Sequence, residues 1–370
     1  MLTMGSIRCL PASILATVLG SGLPFNLSAV PPEIFDVCTP TNGTTEVISV
    51  KRSSCETEKW LALDLIGAYG LLLTAFSIDE HPMYVYAVDG SYIEPQLVDA
   101  IVVANGDRYS VLVKMTTPGD YTIRTASLAA AQLLSGYASL SYRADGVAPL
   151  NRTSIPYLND AGVNVTDNVV FFDQSAMKAY PPAPVAQSAD LTFKMHLRVD
   201  GNSYNWALNS TIYPAALDNE TPILFKPDPY EMNNVTITTL NNTWIDLIFV
   251  TDTFPMPPHP IHKHGNKMWL IGEGNGVFNW STVAEAIKDI PESFNLVDPP
   301  RRDTLATPQA ATEPAWMAVR YYVSNPGAWL LHCHIQSHLL GGMSMVIQDG
   351  VDHWPTVPEQ YLRFPYSGSF

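Results

Sequence analysis

Two short stretches hold most of the residues able to grip a metal ion. Residues 325–343 read NPGAWLLHCHIQSHLLGGM and place His332, Cys333, His334, His338 and Met343 within twelve residues. Residues 252–269 read DTFPMPPHPIHKHGNKMW and carry His259, His262 and His264. Six of the nine histidines therefore fall in these two segments. A single buried histidine is usually structural; this concentration is a different case. Side chains alternate between faces along a strand. His332 and His334 thus point one way and Cys333 the other, so one short strand can serve two metal sites back to back. His262 and His264 share a face in the same manner, while Pro260 sets His259 apart.

Cys333, His259, His338 and Met343 together make a thiolate, two imidazoles and a thioether. That set suits a trigonal blue-copper centre with a weak axial ligand, whose chemistry is one-electron transfer. Zinc also accepts Cys and His, but the C-x₂-C and H-x₃₋₅-H spacings of structural zinc sites are absent. Ligand softness and geometry favour copper. A methionine in a β core is also a packing residue, so Met343 has two readings.

The elements that must position these ligands are strands. Short runs rich in Val, Ile, Tyr, Phe and Thr recur at 45–50, 83–88, 109–115, 121–126, 235–240, 244–250, 267–272, 316–323 and 344–348. Turn sequences such as VDGS, NGDR and TPGD separate them. Helical pattern is scarce, and STVAEAIKDI (281–290), with Ser281 as N-cap, is the best candidate. GEGNG (272–276) reads as a turn rather than a phosphate loop. The fold class expected is all-β, built as β-sandwiches. The organisation expected is a segment at 1–29, a sandwich at 30–145, a loop-rich linker at 146–187 and a second sandwich at 188–370.

With 370 residues and a formal charge of −15, the chain is long enough for two domains and unsuited to nucleic acid. Four cysteines, Cys9, Cys38, Cys55 and Cys333, are too few for a disulfide framework. Cys38 and Cys55 are near enough in sequence to pair, which leaves Cys333 as a free thiol. A free thiol is unusual in an oxidising compartment unless something ligates it. N-x-S/T sequons begin at Asn26, Asn42, Asn151, Asn164, Asn209, Asn219, Asn234, Asn241 and Asn279. Together they point to glycosylation and secretion. The N-terminal MLTMGSIRCLPASILATVLGSG passes only for a poor signal peptide, being interrupted by Pro11 and Ser13. No stretch approaches a membrane span.

At this level of detail the sequence resembles a known family. HPIHKHG (259–265) and WLLHCHIQSHLLGGM (329–343) are similar to the two C-terminal copper motifs of multicopper oxidases, especially fungal laccase-like enzymes. Residues 76–115 resemble their second cupredoxin domain. RRDTLATP (301–308) and RYYVSNPGAW (320–329) resemble the third. The resemblance covers about residues 30–350 and implies two cupredoxin-like (plastocyanin-like) Greek-key sandwiches, with copper in the second.

Carried over residue by residue, it implies that His259, Cys333 and His338 bind type 1 copper with Met343 axial. It makes His262 a type 2 ligand, and His264, His332 and His334 type 3 ligands. Cys333 with its neighbours His332 and His334 is then the electron path. In the family, type 1 copper takes electrons from a phenolic or other aromatic reductant, and a trinuclear cluster uses four of them to reduce O₂ to water.

That cluster needs eight histidines, four of them from two H-x-H motifs in a first domain. The remaining histidines here, His81, His196 and His353, lie in no H-x-H, and His81 reads as structural. The expectation is therefore a missing first domain, with 11–26 a degraded entry to the second and Met1 an internal or misassigned start. Type 2 and type 3 copper would then require that domain or a partner. Two functions stand at this point: a secreted laccase-like oxidase, or a blue-copper electron carrier or inactive remnant unable to reduce O₂.

Overall fold

The computed structural model describes residues 6–9, 45–70, 73–128, 134–201, 205–219, 222–225 and 235–362. The chain divides into two compact units, Met1–Tyr180 and Pro181–Phe370.

The first unit is a β-sandwich. Its strands are β1 (Ser6–Cys9), β2 (Val47–Arg52), β3 (Lys59–Ile66), β4 (Thr74–Ile78) and β5 (Met83–Val88). They continue as β6 (Ser91–Val98), β7 (Ala100–Val103), β8 (Arg108–Met115), β9 (Gly119–Ser127) and β10 (Leu134–Ala144). One sheet runs β1-β10-β9-β4-β7 with β2 added parallel to β10; the other runs β3-β8-β5-β6. Along β8 the residues alternate half-buried and buried, which puts Tyr109, Val111, Val113 and Met115 on the inner face. Tyr121, Ile123, Leu140 and Tyr142 meet them from the opposite sheet. This is the period-two pattern of stacked antiparallel sheets. The VDGS turn places Asp89 and Gly90 at φ 49° and 76°, the primed geometry whose twist matches a hairpin.

Two stretches bear on the expected organisation. Ser6–Cys9, inside the stretch expected as a remnant or leader, forms an edge strand antiparallel to Leu134–Tyr137. The 146–187 stretch is not a free connector over most of its length. The unit boundary falls at 180/181, and Tyr157, Leu158, Val169 and Phe171 pack on Ala75 and Ala100 of the first unit. The buried Asp79 carboxylate anchors this segment. It accepts two bonds from the Arg124 guanidinium (2.8 and 3.1 Å) and one from Ser154 Oγ (2.7 Å). Glu80 likewise takes both Arg152 nitrogens (2.7 and 2.8 Å). A stretch rich in proline has no period to read, yet it docks through such polar anchors. Cys55 is an exposed free thiol, and its expected partner Cys38 lies outside the described residues.

The second unit is also a sandwich. It contains β11 (Leu191–Val199), β12 (Trp206–Ala207), β13 (Thr236–Thr238), β14 (Trp244–Thr251), β15 (Pro260–Lys263) and β16 (Met268–Asn275). Then follow β17 (Arg301–Arg302), β18 (Thr304–Ala306), β19 (Ala315–Tyr322), β20 (Gly327–Cys333) and β21 (Ser344–Asp349). The sheets run β12-β11-β14-β19-β16-β17 and β13-β21-β20-β15-β18. Leu247, Phe249, Met317 and Val319 of the first sheet face Ile261, Leu331, Met345 and Ile347 of the second in one core.

Helix α1 (Val283–Asp289) covers the outer face of the first sheet through Val283 and Ala286. Its N-cap is Thr282 rather than Ser281: Thr282 Oγ1 accepts from the Glu285 amide at 3.2 Å. Most of GEGNG belongs to the end of β16. Among the described residues no helix is long and apolar enough to cross a membrane.

Candidate metal centres

The chemistry-bearing residues gather on two adjacent strands of the second unit. In the β15–β20 ladder Ile261 lies opposite Cys333, His262 opposite His332 and Lys263 opposite Leu331. Directly opposed residues share a face. One face thus carries His262 and His332, and the other carries Cys333 toward the core.

On the core side three donor atoms converge. Cys333 Sγ is 3.7 Å from His259 Nδ1 and 3.7 Å from His338 Nδ1, and the two nitrogens are 3.2 Å apart. All three residues are buried. Metal–nitrogen and metal–sulfur bonds of about 2.0 and 2.3 Å, spread trigonally, would set N···S at about 3.7 Å and N···N at about 3.5 Å. The donor triangle therefore fits one small metal ion.

The surroundings hold these groups uncharged. Burial pushes the Cys333 thiol up to about 12. It pulls His338 down to about 4 and, with repulsion from His338, His259 to about 3. Neutral imidazoles are ready ligands, and a thiol with so high a pKa needs a cation in contact to exist as thiolate.

Local backbone fixes this triangle. The His259 amide donates to Thr307 Oγ1 at 2.9 Å, and the Cys333 amide donates to the Met343 carbonyl at 3.1 Å. The Met343 amide donates to the His338 carbonyl at 2.9 Å. Helix α2 (Gln336–Leu340) brings His338 round, and Gly341 and Gly342 release the chain into β21. Met343 is fully buried. Trp206, unmarked in the sequence, stacks on His338 with ring centroids 3.9 Å apart and meets His259 edge-on at 5.1 Å. So distant a tryptophan carries no periodic signal of this contact.

The opposite face carries a histidine cluster. Possible ligand atoms of His262, His264 and His332 all lie within 4.8 Å of one another. The His334 ring stands beside them, 5.7 Å from His262 and 5.5 Å from His332, outside that tighter set. His262 Nδ1 donates to the Asp303 carbonyl at 2.9 Å, and His332 Nδ1 donates to the Cys333 carbonyl at 2.8 Å. A carbonyl only accepts, so each Nδ1 carries the proton and each Nε2 presents a lone pair. Burial lowers His332 to about 4 and lowers His262 and His264 as well.

Of the other histidines, His81 is buried in the first unit. It donates to the Asp79 carbonyl at 3.0 Å and packs edge-on against Tyr121. His196 and His353 are exposed beside Asp252 and Asp352. None joins either cluster.

Lys263, between two of these histidines, faces the core from the opposite side of β15. It is completely buried against the equally buried Asp349 at 2.7 Å. Strand alternation marks it as core-facing, but its partner lies far along the chain and only the fold reveals it.

Two family models, both described as multicopper oxidase, match residues 42–145 and 198–353. Multicopper oxidase elcG of Phaeosphaeria nodorum is 42% identical over 349 residues, spanning 92% of this chain and 55% of its own length. Laccase abr2 of Aspergillus fumigatus is 40% identical, spanning 89% of this chain and 56% of its own. The fold matches the crystal structure of laccase from Botrytis aclada with a TM-score of 0.67 and 22% identity, over 90% of this chain and 58% of that one. The chain thus spans little more than half the length of the curated relatives it matches.

Proposed function

Because this chain belongs to the multicopper oxidase family, whose members use copper, we propose that its two clusters are the copper-binding half of a laccase-like oxidase. The whole protein would couple one-electron oxidation of phenolic or other aromatic reductants to reduction of O₂. The single observation that carries this reading is the placement of a Cys–His–His triangle and a three-histidine group, with His334 beside it, on opposite sides of the β15–β20 ladder.

His259, Cys333 and His338 would hold the type 1 ion, with Met343 as a fourth, weaker ligand. His262 would be the type 2 ligand, and His264, His332 and His334 the type 3 ligands. Copper bound at the triangle supplies a one-electron couple. The protein's part is positional. Burial excludes water from the triangle and keeps both imidazoles unprotonated. Carbonyl acceptors hold the proton on Nδ1 of His262 and His332 and leave each Nε2 with a free lone pair. Cys333 links covalently to His332 and His334, which makes the shortest through-bond route between the two groups.

A reductant would approach from the His338 side, where Leu340 of α2 is 78% exposed. The four further histidines that a full trinuclear cluster calls for are not among this chain's residues. We further propose an extracellular, glycosylated protein. Asn151, Asn164, Asn219 and Asn279 are exposed, Asn209 and Asn241 are half-buried, and Asn26, Asn42 and Asn234 lie outside the described residues.

The test is copper reconstitution. The chain should bind copper with an intense blue colour that Cys333→Ser abolishes while the fold persists. A folded, copper-loaded, colourless wild type would falsify the type 1 assignment. The chain by itself should not sustain O₂ consumption with a phenol, and steady turnover by a pure monomer in an oxygen electrode would overturn this division of ligands.

A further inference from the structure

Resting on the reading of the histidine group as a copper cluster, we propose that the buried Lys263–Asp349 pair is the positioning device for His264. Three observations carry it.

The first is that His264 lacks the anchor its neighbours have. His262 and His332 each have Nδ1 fixed by a carbonyl acceptor. Among the described residues no hydrogen bond holds the His264 ring. Its side chain is exposed, yet it stands 5.1 and 5.4 Å (ring centroids) from His262 and His332. Something other than its own ring must hold it there.

The second is where the ion pair acts. Lys263 Nζ donates to Asp349 Oδ2 at 2.7 Å and also to the His264 carbonyl at 3.1 Å. The same carboxylate oxygen accepts from Asn266 Nδ2 at 3.1 Å. Both sides of the 264–266 turn are therefore tied to one carboxylate, directly or through the ammonium. The other oxygen, Oδ1, accepts from Tyr321 OH and Thr239 Oγ1, both at 2.9 Å, which fixes Asp349 itself.

The third is the cost. Both side chains are completely buried, Lys263 in step with Ile261 and Asp349 in step with Met345 and Ile347, positions that alternation assigns to the apolar core. A buried ion pair repays its desolvation poorly, and apolar replacements are often as stable or more so. Stability is thus a weak reason for this pair, and geometry is a better one. The Lys263 ammonium sits 4.4 Å from the Tyr321 ring centroid, a further constraint on its position.

The test is the double variant Lys263→Met with Asp349→Asn. Methionine keeps the length of the lysine stem, and the asparagine oxygen still accepts from Tyr321 and Thr239. In metal-free protein with labelled histidines, the nuclear Overhauser effect between the His264 and His332 rings is measured beside the melting temperature. The expected result is an unchanged melting temperature, with the His264–His332 effect abolished and the His262–His332 effect preserved. Copper added afterwards should retain the Cys333-dependent blue colour, since the ligands of the triangle are unchanged.

A folded double variant in which the His264–His332 effect persists overturns the proposal. If the double variant does not fold, Lys263→Gln is read in the same way: its side chain is one bond shorter and cannot bridge Asp349 and the His264 carbonyl as the ammonium does, and the buried Asp349 carboxyl can take up a proton in place of the lost cation. Wild type that takes up no copper at the Cys333 triangle would sink the copper reading, while the ring-to-ring effect in metal-free protein still decides the positioning role.

Discussion

Gly265 closes the HPIHKHG segment, and replacing it with alanine tests how tightly the histidine turn is packed. Its φ is +80°, and a Cβ built there would stand 2.5 Å from Cδ2 and Cε2 of Trp329 and 2.8 Å from Cγ. The ring cannot simply swing away, because Trp329 Nε1 donates to the Asn325 carbonyl at 2.7 Å.

Two terms therefore add. The left-handed backbone costs a non-glycine residue about 1 kcal/mol. Forcing the ring aside adds about 1–3 kcal/mol, the range for overpacking. Gly265→Ala should lose about 2–4 kcal/mol in all, which is large against the marginal stability of a domain. Gly276 is the control: its φ is +90° and nothing lies within 4 Å of a Cβ there, so Gly276→Ala should lose only the backbone term. Urea unfolding followed by tryptophan fluorescence reads the second unit, since all tryptophans but Trp60 lie in it. In a Trp329→Ala background the added cost of Gly265→Ala should shrink to about that of the control. Equal losses for Gly265→Ala and Gly276→Ala would refute the packing argument and leave only the backbone one.

Other outcomes are expected. Met343→Leu should keep the blue colour and raise the reduction potential in a redox titration, because the axial position tunes it; an unchanged potential would mean that Met343 only packs. Metal-free protein should lose stability in acid. His259, His332 and His338 stay neutral when folded, at about 3, 4 and 4. Unfolded, they take up protons below about 6.5. The unfolded state then binds more protons, so stability falls as pH drops from about 6.5 toward 4 and levels off below the folded values. Urea titrations at pH 7 and pH 4.5 should differ by a few kcal/mol, and His338→Gln should flatten the slope; equal midpoints at the two pH values would count against these histidines being held neutral.

How much of this is legible in the sequence depends on range. The H-x-H and H-C-H spacings need only the period of a strand, which is why the two faces of β20 can be assigned from residues 332–334 alone. The strand at 83–88 is readable for the same reason, since Met83, Val85 and their outward neighbours alternate. Thr282 takes the cap expected of Ser281 because two adjacent hydroxyl residues both suit an N-cap and the geometry of the first turn decides. The docking of 150–171 on the first unit rests on Asp79 with Ser154 and Glu80 with Arg152, long-range polar pairs with no local signature. Trp206 against His338 and Lys263 against Asp349 are illegible for that same reason: each partner is chosen by the fold, from far away in sequence.

Strand β20 also has a reading frame. It runs from Gly327 to His332 without a register shift against β21, and through Cys333 against β15. Because its two faces serve different centres, a slip of one residue would turn the thiol toward the histidine group and an imidazole toward the core. Both centres would fail together, by one displacement and with every ligand still present. An inserted residue between Ala328 and Leu331 is therefore a frameshift in space. Two inserted residues would restore the facing but carry the ligands about 7 Å along the strand. The two centres share a single alignment, and neither can be tuned through this strand without moving the other.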